Sequence, residues 1–146
     1  MNTQVMFSSN KTDWTTPQDL FDKLNEEFGF TVDLCADDFN HKCAKYYTKE
    51  NDGMMADLTG EVVFCNPPYG AKETPRWIQK CAESNCVSVM LLPRRTDTKA
   101  FHQWIYGKAE IRFIKGRLKF GGGCNNSAPF PSMIVIFRNE NASVQK

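Results

Sequence analysis

Asn66-Pro67-Pro68-Tyr69 is the stretch of this 146-residue chain whose residue types and spacing are fitted to do chemistry. It ends the apolar run of residues 61–66 (EVVFCN), so a polar amide closes a buried-type strand, two prolines fix the backbone and an aromatic follows. Prolines lock φ and donate no hydrogen bond, which holds nearby carbonyls in set directions. Gly70 then lets a ligand approach the backbone closely. An exocyclic amino group on a nucleobase is a poor nucleophile, because its lone pair is delocalised into the ring. The Asn66 side-chain oxygen and the Pro67 carbonyl are two acceptors able to take both N–H bonds of such a group. That arrangement favours a more pyramidal nitrogen and frees the lone pair to attack an electrophilic methyl group. Tyr69 is suited to stack on the flat face of the base, an interaction worth about 1–3 kcal/mol. A base inside a duplex reaches such a pocket only by flipping out. The plainer alternative is an ordinary Pro-Pro turn with Tyr69 packed on the surface.

Elements on either side must position this tetrapeptide. Short apolar runs alternate with amphipathic segments, which predicts an α/β fold with a twisted, mostly parallel sheet and helices on both faces. In an open sheet of that kind ligands bind beyond the carboxyl ends of strands, where Asn66 falls. Thr16, Pro17 and Asp19 read as an N-cap with proline at the first helical position, followed by Leu20, Phe21, Leu24 and Phe28 at helical spacing and a stop at Gly29. Phe30 to Leu34 reads as a strand, and Tyr46 to Thr48 as a shorter one. Thr74-Pro75 is expected to cap a second helix with Trp77, Ile78, Cys81 and Ala82 on one face. Val87 to Pro93 is the most apolar run and the expected central strand. A third helix is expected from Asp97 or Thr98, with Ala100, Phe101, Trp104 and Ile105 inward. Glu110 to Ile114 and Ser132 to Phe137 complete the strands, the last of them antiparallel. Between these two lies a Gly/Asn/Pro-rich loop from about Gly121 to Pro131.

Composition bounds the reading. With 41% hydrophobic and 24% charged residues the chain is globular, and its length fits one domain, 1–146, with a core of about 14–137 and no separate target-recognition domain. No window comes near the ~18–20 apolar residues of a membrane-spanning helix. The N-terminus lacks a basic stretch followed by an apolar run, so no secretory signal and a cytoplasmic location are expected. A net charge of +1 hides a segregation: residues 1–93 carry eight Lys/Arg against fourteen Asp/Glu, whereas residues 94–120 carry eight against two. Such a basic block is a candidate phosphate-contacting surface or simply a solvated face. The six cysteines, Cys35, Cys43, Cys65, Cys81, Cys86 and Cys124, include no C-x2-C pair, so core thiols are expected rather than a metal site.

At these residues the sequence resembles the phage-type DNA N6-adenine methyltransferases, which use S-adenosylmethionine. The shared pattern runs through Trp14-Thr15-Thr16-Pro17, Leu20-Phe21, the block from Glu27 to Asp37, Lys42-Cys43, Tyr46-Tyr47 and Asp57-Leu58. It continues through Asn66-Pro67-Pro68-Tyr69, Leu92-Pro93, Arg95-Thr96-Asp97-Thr98 and Gly116-Arg117-Leu118. The tetrapeptide alone is shared with protein-glutamine and RNA methyltransferases; the combination is far more specific.

The resemblance implies a Rossmann-like, S-adenosylmethionine-dependent fold and a site-specific, adenine-specific DNA methyltransferase. Its catalytic residues would be Asn66, Pro67, Pro68 and Tyr69, and its cofactor residues Thr16, Pro17, Asp33, Cys35, Ala36, Asp57 and Leu58. Arg94, Arg95 and Thr96 would meet phosphates of the target strand, with Arg117 and Lys119, and more loosely Arg112, extending that surface. The implied partner is double-stranded DNA with a flipped adenine, in a bacterial host cytoplasm if the protein is phage-encoded. No metal is implied. The glycine-rich turn usual after the first strand of the wider superfamily is absent, and Glu50 and Asp52 are the only candidates for holding ribose hydroxyls. By residue type alone Asp33 is a capping or solvated-loop carboxylate, Asp57 fits a turn before Gly60 equally well, and Trp14 is as well suited to a hydrophobic staple as to a pocket wall. With no target-recognition domain, specificity would come from loops, from a second protomer in a homodimer, or be slight. Two further readings stand beside this one: the same chemistry on RNA or a protein glutamine, and a non-catalytic nucleic-acid-binding or antirestriction module on the same fold.

Overall fold

The computed structural model describes residues 14–48, 53–121 and 127–139. Helix α1 spans Gln18–Phe28, strand β1 Val32–Asp33, strand β2 Val62–Cys65, helix α2 Glu73–Glu83, strand β3 Val87–Pro93, strand β4 Glu110–Phe113 and strand β5 Ser132–Arg138. A 3-10 turn at Gly53–Met55 and a π-helical turn at Phe101–Ile105 complete the set. The strands form one mixed sheet in the order β1-β2-β3-β5-β4. β1, β2 and β3 are parallel, β5 runs antiparallel to both β3 and β4, and so β4 points the same way as the first three.

Side-chain alternation explains the layers. Phe64, Val89, Leu91, Ile134 and Ile136 face α1, which buries Phe21 and Leu24 against them. Val63, Cys65, Met90, Leu92, Met133 and Val135 face the other way, onto Ile78 and Cys81 of α2 and onto Phe101 and Ile105. Both faces are thus covered, which is why the inner strands β2, β3 and β5 read as largely apolar runs. No helix among the described residues is long and apolar enough to cross a membrane.

Boundaries differ from sequence expectation where side chains have a competing partner. α1 begins at Gln18, with Pro17 in extended conformation before it; Thr16 makes no cap, and the Pro17 carbonyl instead accepts from the Phe21 N–H at 3.1 Å. Its C-terminus follows expectation, Gly29 taking the left-handed conformation at φ 68°. α2 begins at Glu73 rather than at Thr74-Pro75, because the Thr74 hydroxyl folds back to accept from Gly70 N–H at 2.8 Å and donate to Pro68 O at 2.7 Å. β1 is shorter than Phe30–Leu34, since the Phe30 N–H is held by the Asn25 side chain at 2.8 Å. The segment at Tyr46 pairs with Asp33 through one parallel bridge, a rudimentary strand outside β1.

The topology has one consequence for function. The loops leaving β1, β2, β3 and β4 all emerge at the same edge of the sheet, since those four strands point one way. Asp33–Ala36, Asn66–Tyr69, Arg94–Thr96 and Arg117–Lys119 therefore share an edge. Glu50, Asp52, Cys124 and residues 122–126 of the Gly-rich loop lie outside the described residues.

Candidate active site

Asn66 leaves the end of β2 with its amide nitrogen fully engaged. Its Nδ2 donates to Thr16 Oγ1 at 2.9 Å and to the Trp14 carbonyl. A carboxamide nitrogen has two hydrogens, so both are committed and the oxygen is the atom that remains adjustable. Oδ1 accepts from the Tyr69 hydroxyl at 2.7 Å, and one lone pair is left. Pro68 O is taken by Thr74, whereas no hydrogen bond among the described residues ends on Pro67 O.

Tyr69 is buried rather than on the surface. Its hydroxyl also lies 2.9 Å from the Leu91 carbonyl, and burial pushes its phenol well above the ordinary range. The ring meets Phe130 and Phe120 edge-on, at 5.7 and 6.4 Å between centroids, and the same two rings pack on Trp14 at 5.2 and 5.4 Å. These four aromatics tie the segment before α1 and the ends of the Gly-rich loop to the tetrapeptide.

Two cavities flank it. One, of about 490 Å³, is lined by Asp33, Cys35, Ala36, Thr16, Asn66 and Pro68 among others. A pocket of that volume suits a small-molecule ligand. Asp33 is 3% exposed, and its Oδ2 accepts the Lys42 backbone N–H at 2.8 Å while Oδ1 has no hydrogen-bond partner among the described residues. Burial raises its pKa to about 6 against the opposing pull of the Lys42 and Cys35 N–H groups. A buried, half-satisfied carboxylate on a cavity wall is ready for a cationic donor. The second cavity, of about 530 Å³, lies between α2 and the π-helical turn and is lined by Tyr69, Gly70, Arg95, Lys99, Trp104 and others. Arg76 lines both.

Asp57 and Leu58 are not brought to either cavity. They precede β2 and so sit toward the opposite edge of the sheet, where Gly60 N–H donates to Asn85 O at 3.1 Å. The Thr59 hydroxyl, and its N–H at 3.0 Å, bond the Asp57 carboxylate and hold its pKa below the usual value, and Leu58 is core. Pro17 only starts α1. Among the basic residues, Arg95 approaches the Phe130 ring at 6.0 Å and Arg94 the Phe113 ring at 5.2 Å, both near the site edge. Thr96, Arg117 and Lys119 are exposed there. Arg112 is committed elsewhere: it makes a bidentate pair with Glu27 at 2.7 Å and bonds Glu110 at 2.6 Å.

A family model described as DNA N-6-adenine-methyltransferase (Dam) matches residues 4–145. The chain belongs to that family. It is 30% identical over 139 residues to the DNA N-6-adenine-methyltransferase of Haemophilus phage HP1, covering 88% of this chain and 80% of that protein. It is also 42% identical over 64 residues to the putative methyltransferase YfdM of Escherichia coli K12, covering 38% of this chain and 69% of that one.

In this Dam-family methyltransferase, several site residues escape local sequence reading. Gly53, Met54, Arg76 and Trp77 line the first cavity, and Phe120 and Phe130 wall Tyr69. Gly53 had a recoverable signal, a glycine following a polar run, because a Cβ there would lie 3.0 Å from Leu34 O and 3.1 Å from Tyr47 Cβ. The Thr16–Asn66 bond spans 50 residues and had none.

Proposed function

We propose that the protein transfers a methyl group from S-adenosylmethionine to N6 of adenine in DNA, on a compact Rossmann-like fold, with the base flipped out of the duplex. The observation that carries this reading is the amide of Asn66 in the wall of the first cavity, whose nitrogen is consumed by Trp14 O and Thr16 Oγ1 and whose oxygen is bonded by Tyr69, a residue of the second cavity's wall. Family membership supports the same substrate class.

The chain's own residues divide the work. S-adenosylmethionine would supply, when bound, a methyl group on a strongly activated sulfonium. Asp33, Cys35 and Ala36 at the end of β1 would hold it in the first cavity, the Asp33 carboxylate meeting the ammonium of its methionine end. That fit rests on the orphaned Asp33 Oδ1, since a cation beside it would offset the burial of its charge. The adenine would enter the second cavity past Arg95 and Lys99, its ring against Tyr69. Asn66 Oδ1 and Pro67 O would accept the two N6 hydrogens, pyramidalising the nitrogen and aiming its lone pair toward the first cavity. Each added acceptor works where charge develops. The surplus proton leaves N6 after the carbon–nitrogen bond forms, so no base is required before transfer.

The test is incubation with radiolabelled S-adenosylmethionine and unmethylated duplex DNA, followed by digestion and resolution of the nucleosides. Label is expected in N6-methyladenine. Label in RNA or a release-factor glutamine offered alongside, and none in DNA, would overturn the substrate. Asn66→Ala is expected to keep the fold and cofactor affinity and to lose about 100-fold or more in transfer rate, the order found for other preorganised hydrogen-bonding groups at reacting atoms; retained activity would overturn the mechanism.

A further inference from the structure

An asparagine amide can turn over by 180° at almost no steric cost, and the two faces are chemically opposite. With oxygen toward the substrate it accepts from an amine; with nitrogen there it offers two more donors and repels one. Something must therefore choose between them. We propose that Thr16 is a positioning residue, its buried hydroxyl and the Trp14 carbonyl together locking Asn66 with its oxygen toward the substrate amine. The proposal rests on the adenine-methylation reading above and assigns Thr16 a role other than holding the cofactor.

The carbonyl of Trp14 can only accept, so it admits Nδ2 and refuses Oδ1. Thr16 Oγ1, at 2.9 Å, takes the second hydrogen. Turned over, the amide would set its oxygen against that carbonyl, a cost near that of an unsatisfied polar group; a hydroxyl tolerates either face, so the carbonyl selects the orientation and Thr16 holds the amide in it. The selecting groups are themselves held. Thr16 is 5% exposed, Thr15 O accepts from Gly121 N–H at 2.8 Å, and Thr15 Oγ1 accepts from the Asn40 amide at 3.0 Å. The Trp14 ring is gripped by Phe120 and Phe130. The hydroxyl is available for this because it does not cap α1: the helix starts two residues later, after Pro17. What the local pattern offers as a helix cap is spent on a residue 50 positions away.

The experiment compares wild type, Thr16→Val, which keeps the shape and removes the hydroxyl, and Thr16→Ser, which restores it. Single-turnover methylation at saturating S-adenosylmethionine is expected to fall about tenfold in Thr16→Val, the worth of one hydrogen bond, and to recover in Thr16→Ser. Cofactor affinity by calorimetry is expected to stay within about twofold in both. In an Asn66→Ala background Thr16→Val is expected to add no further loss, because the group it positions is gone. An unchanged rate in Thr16→Val, a loss confined to cofactor affinity, or losses that multiply in the Asn66→Ala background would overturn the assignment. A readout independent of substrate is the side-chain amide signal of Asn66 by NMR, identified by its disappearance in Asn66→Ala. Its exchange with solvent is expected to speed up in Thr16→Val and return in Thr16→Ser; unchanged exchange overturns the inference even if the wild type proves to methylate something other than DNA. Wild-type failure on DNA with the amide still protected would instead count against the substrate reading alone.

Discussion

Asp33 carries a charge into the interior, 3% exposed, and its pKa rises from 3.8 to about 6 because burial penalises the ionised form. A folded-state pKa above the unfolded one means that the native state holds the proton more tightly. The associated stability is present in full below about pH 4 and is lost as pH rises through about 6, an amount on the order of 3 kcal/mol by linkage. Asp33→Asn keeps an oxygen for the Lys42 N–H and removes the charge. Thermal unfolding is therefore expected to show the variant more stable than wild type at pH 8 and level with it near pH 4, with cofactor binding weakened. A gain of equal size at both pH values would show that the buried charge is not its source.

Tyr69 needs the opposite treatment, since its ring packs among apolar side chains on one side of the second cavity. Tyr69→Ala would open a hole among Phe120, Phe130 and Leu91 costing about 3–5 kcal/mol, which confounds any kinetic reading. Tyr69→Phe and Tyr69→Leu separate the roles. The first loses the hydroxyl's contacts with Asn66 Oδ1 and Leu91 O, keeps the ring and is expected to leave kcat/KM for DNA within a few-fold. The second loses the π face and is expected to drop kcat/KM by about tenfold or more, as base stacking is worth about 1–3 kcal/mol. Equal values for the two variants would remove the stacking role.

At the scale of elements, two glycines make a matched pair. Gly29 ends α1 with φ 68° and open space around it, so Gly29→Ala is expected to cost about 1 kcal/mol of stability through backbone strain and to leave cofactor affinity alone. Gly53 has an ordinary backbone in tight surroundings, and a Cβ there would press on Leu34 O and Tyr47 Cβ, at the junction of β1, the rudimentary strand and the cavity wall. Gly53→Ala is expected to cost about 1–3 kcal/mol and to weaken S-adenosylmethionine binding by calorimetry. Identical affinities in the two variants would separate Gly53 from the cofactor. The same contrast explains what was legible in the sequence. Val87–Pro93 and Ser132–Arg138 coincide with largely apolar runs because both faces of those strands are covered, and Gly29 announces its own backbone. Asn66 is legible as chemistry because prolines and an aromatic flank it. The first residues of α1 and α2 were not, because Thr16 and Thr74 are drawn off by distant or folded-back partners that no window of sequence displays. Asp57 shows the reverse: its residue type fits a ligand contact, while it lines neither cavity and accepts from Thr59 in a turn.

Across the whole molecule, the parallel direction of β1 to β4 turns a charge asymmetry along the chain into one in space. The basic stretch of residues 94–120 supplies the loops after β3 and β4, at the edge where Asn66 and both cavities lie. Position within that stretch does not by itself assign a phosphate contact, because Arg112 is spent on Glu27 and Glu110 and ties β4 to α1. Arg95, Arg117 and Lys119 face outward at the site edge instead. Each phosphate contact releases counterions, so log affinity for duplex DNA falls with log salt at a slope of about −0.9 per contact. Arg95→Ala, Arg117→Ala and Lys119→Ala are each expected to weaken DNA binding and to flatten that slope by about one, measured by fluorescence anisotropy over about 50–200 mM salt. Arg112→Ala carries the same change in net charge and is expected to leave the slope unchanged while lowering the unfolding temperature. If all four variants flatten the slope equally, DNA senses only the overall charge, and the edge defined by the parallel strands is not where the duplex lies. If Arg112 alone stands apart, the four strand ends that carry the cofactor pocket, the amide and the aromatic also carry the track for the substrate backbone.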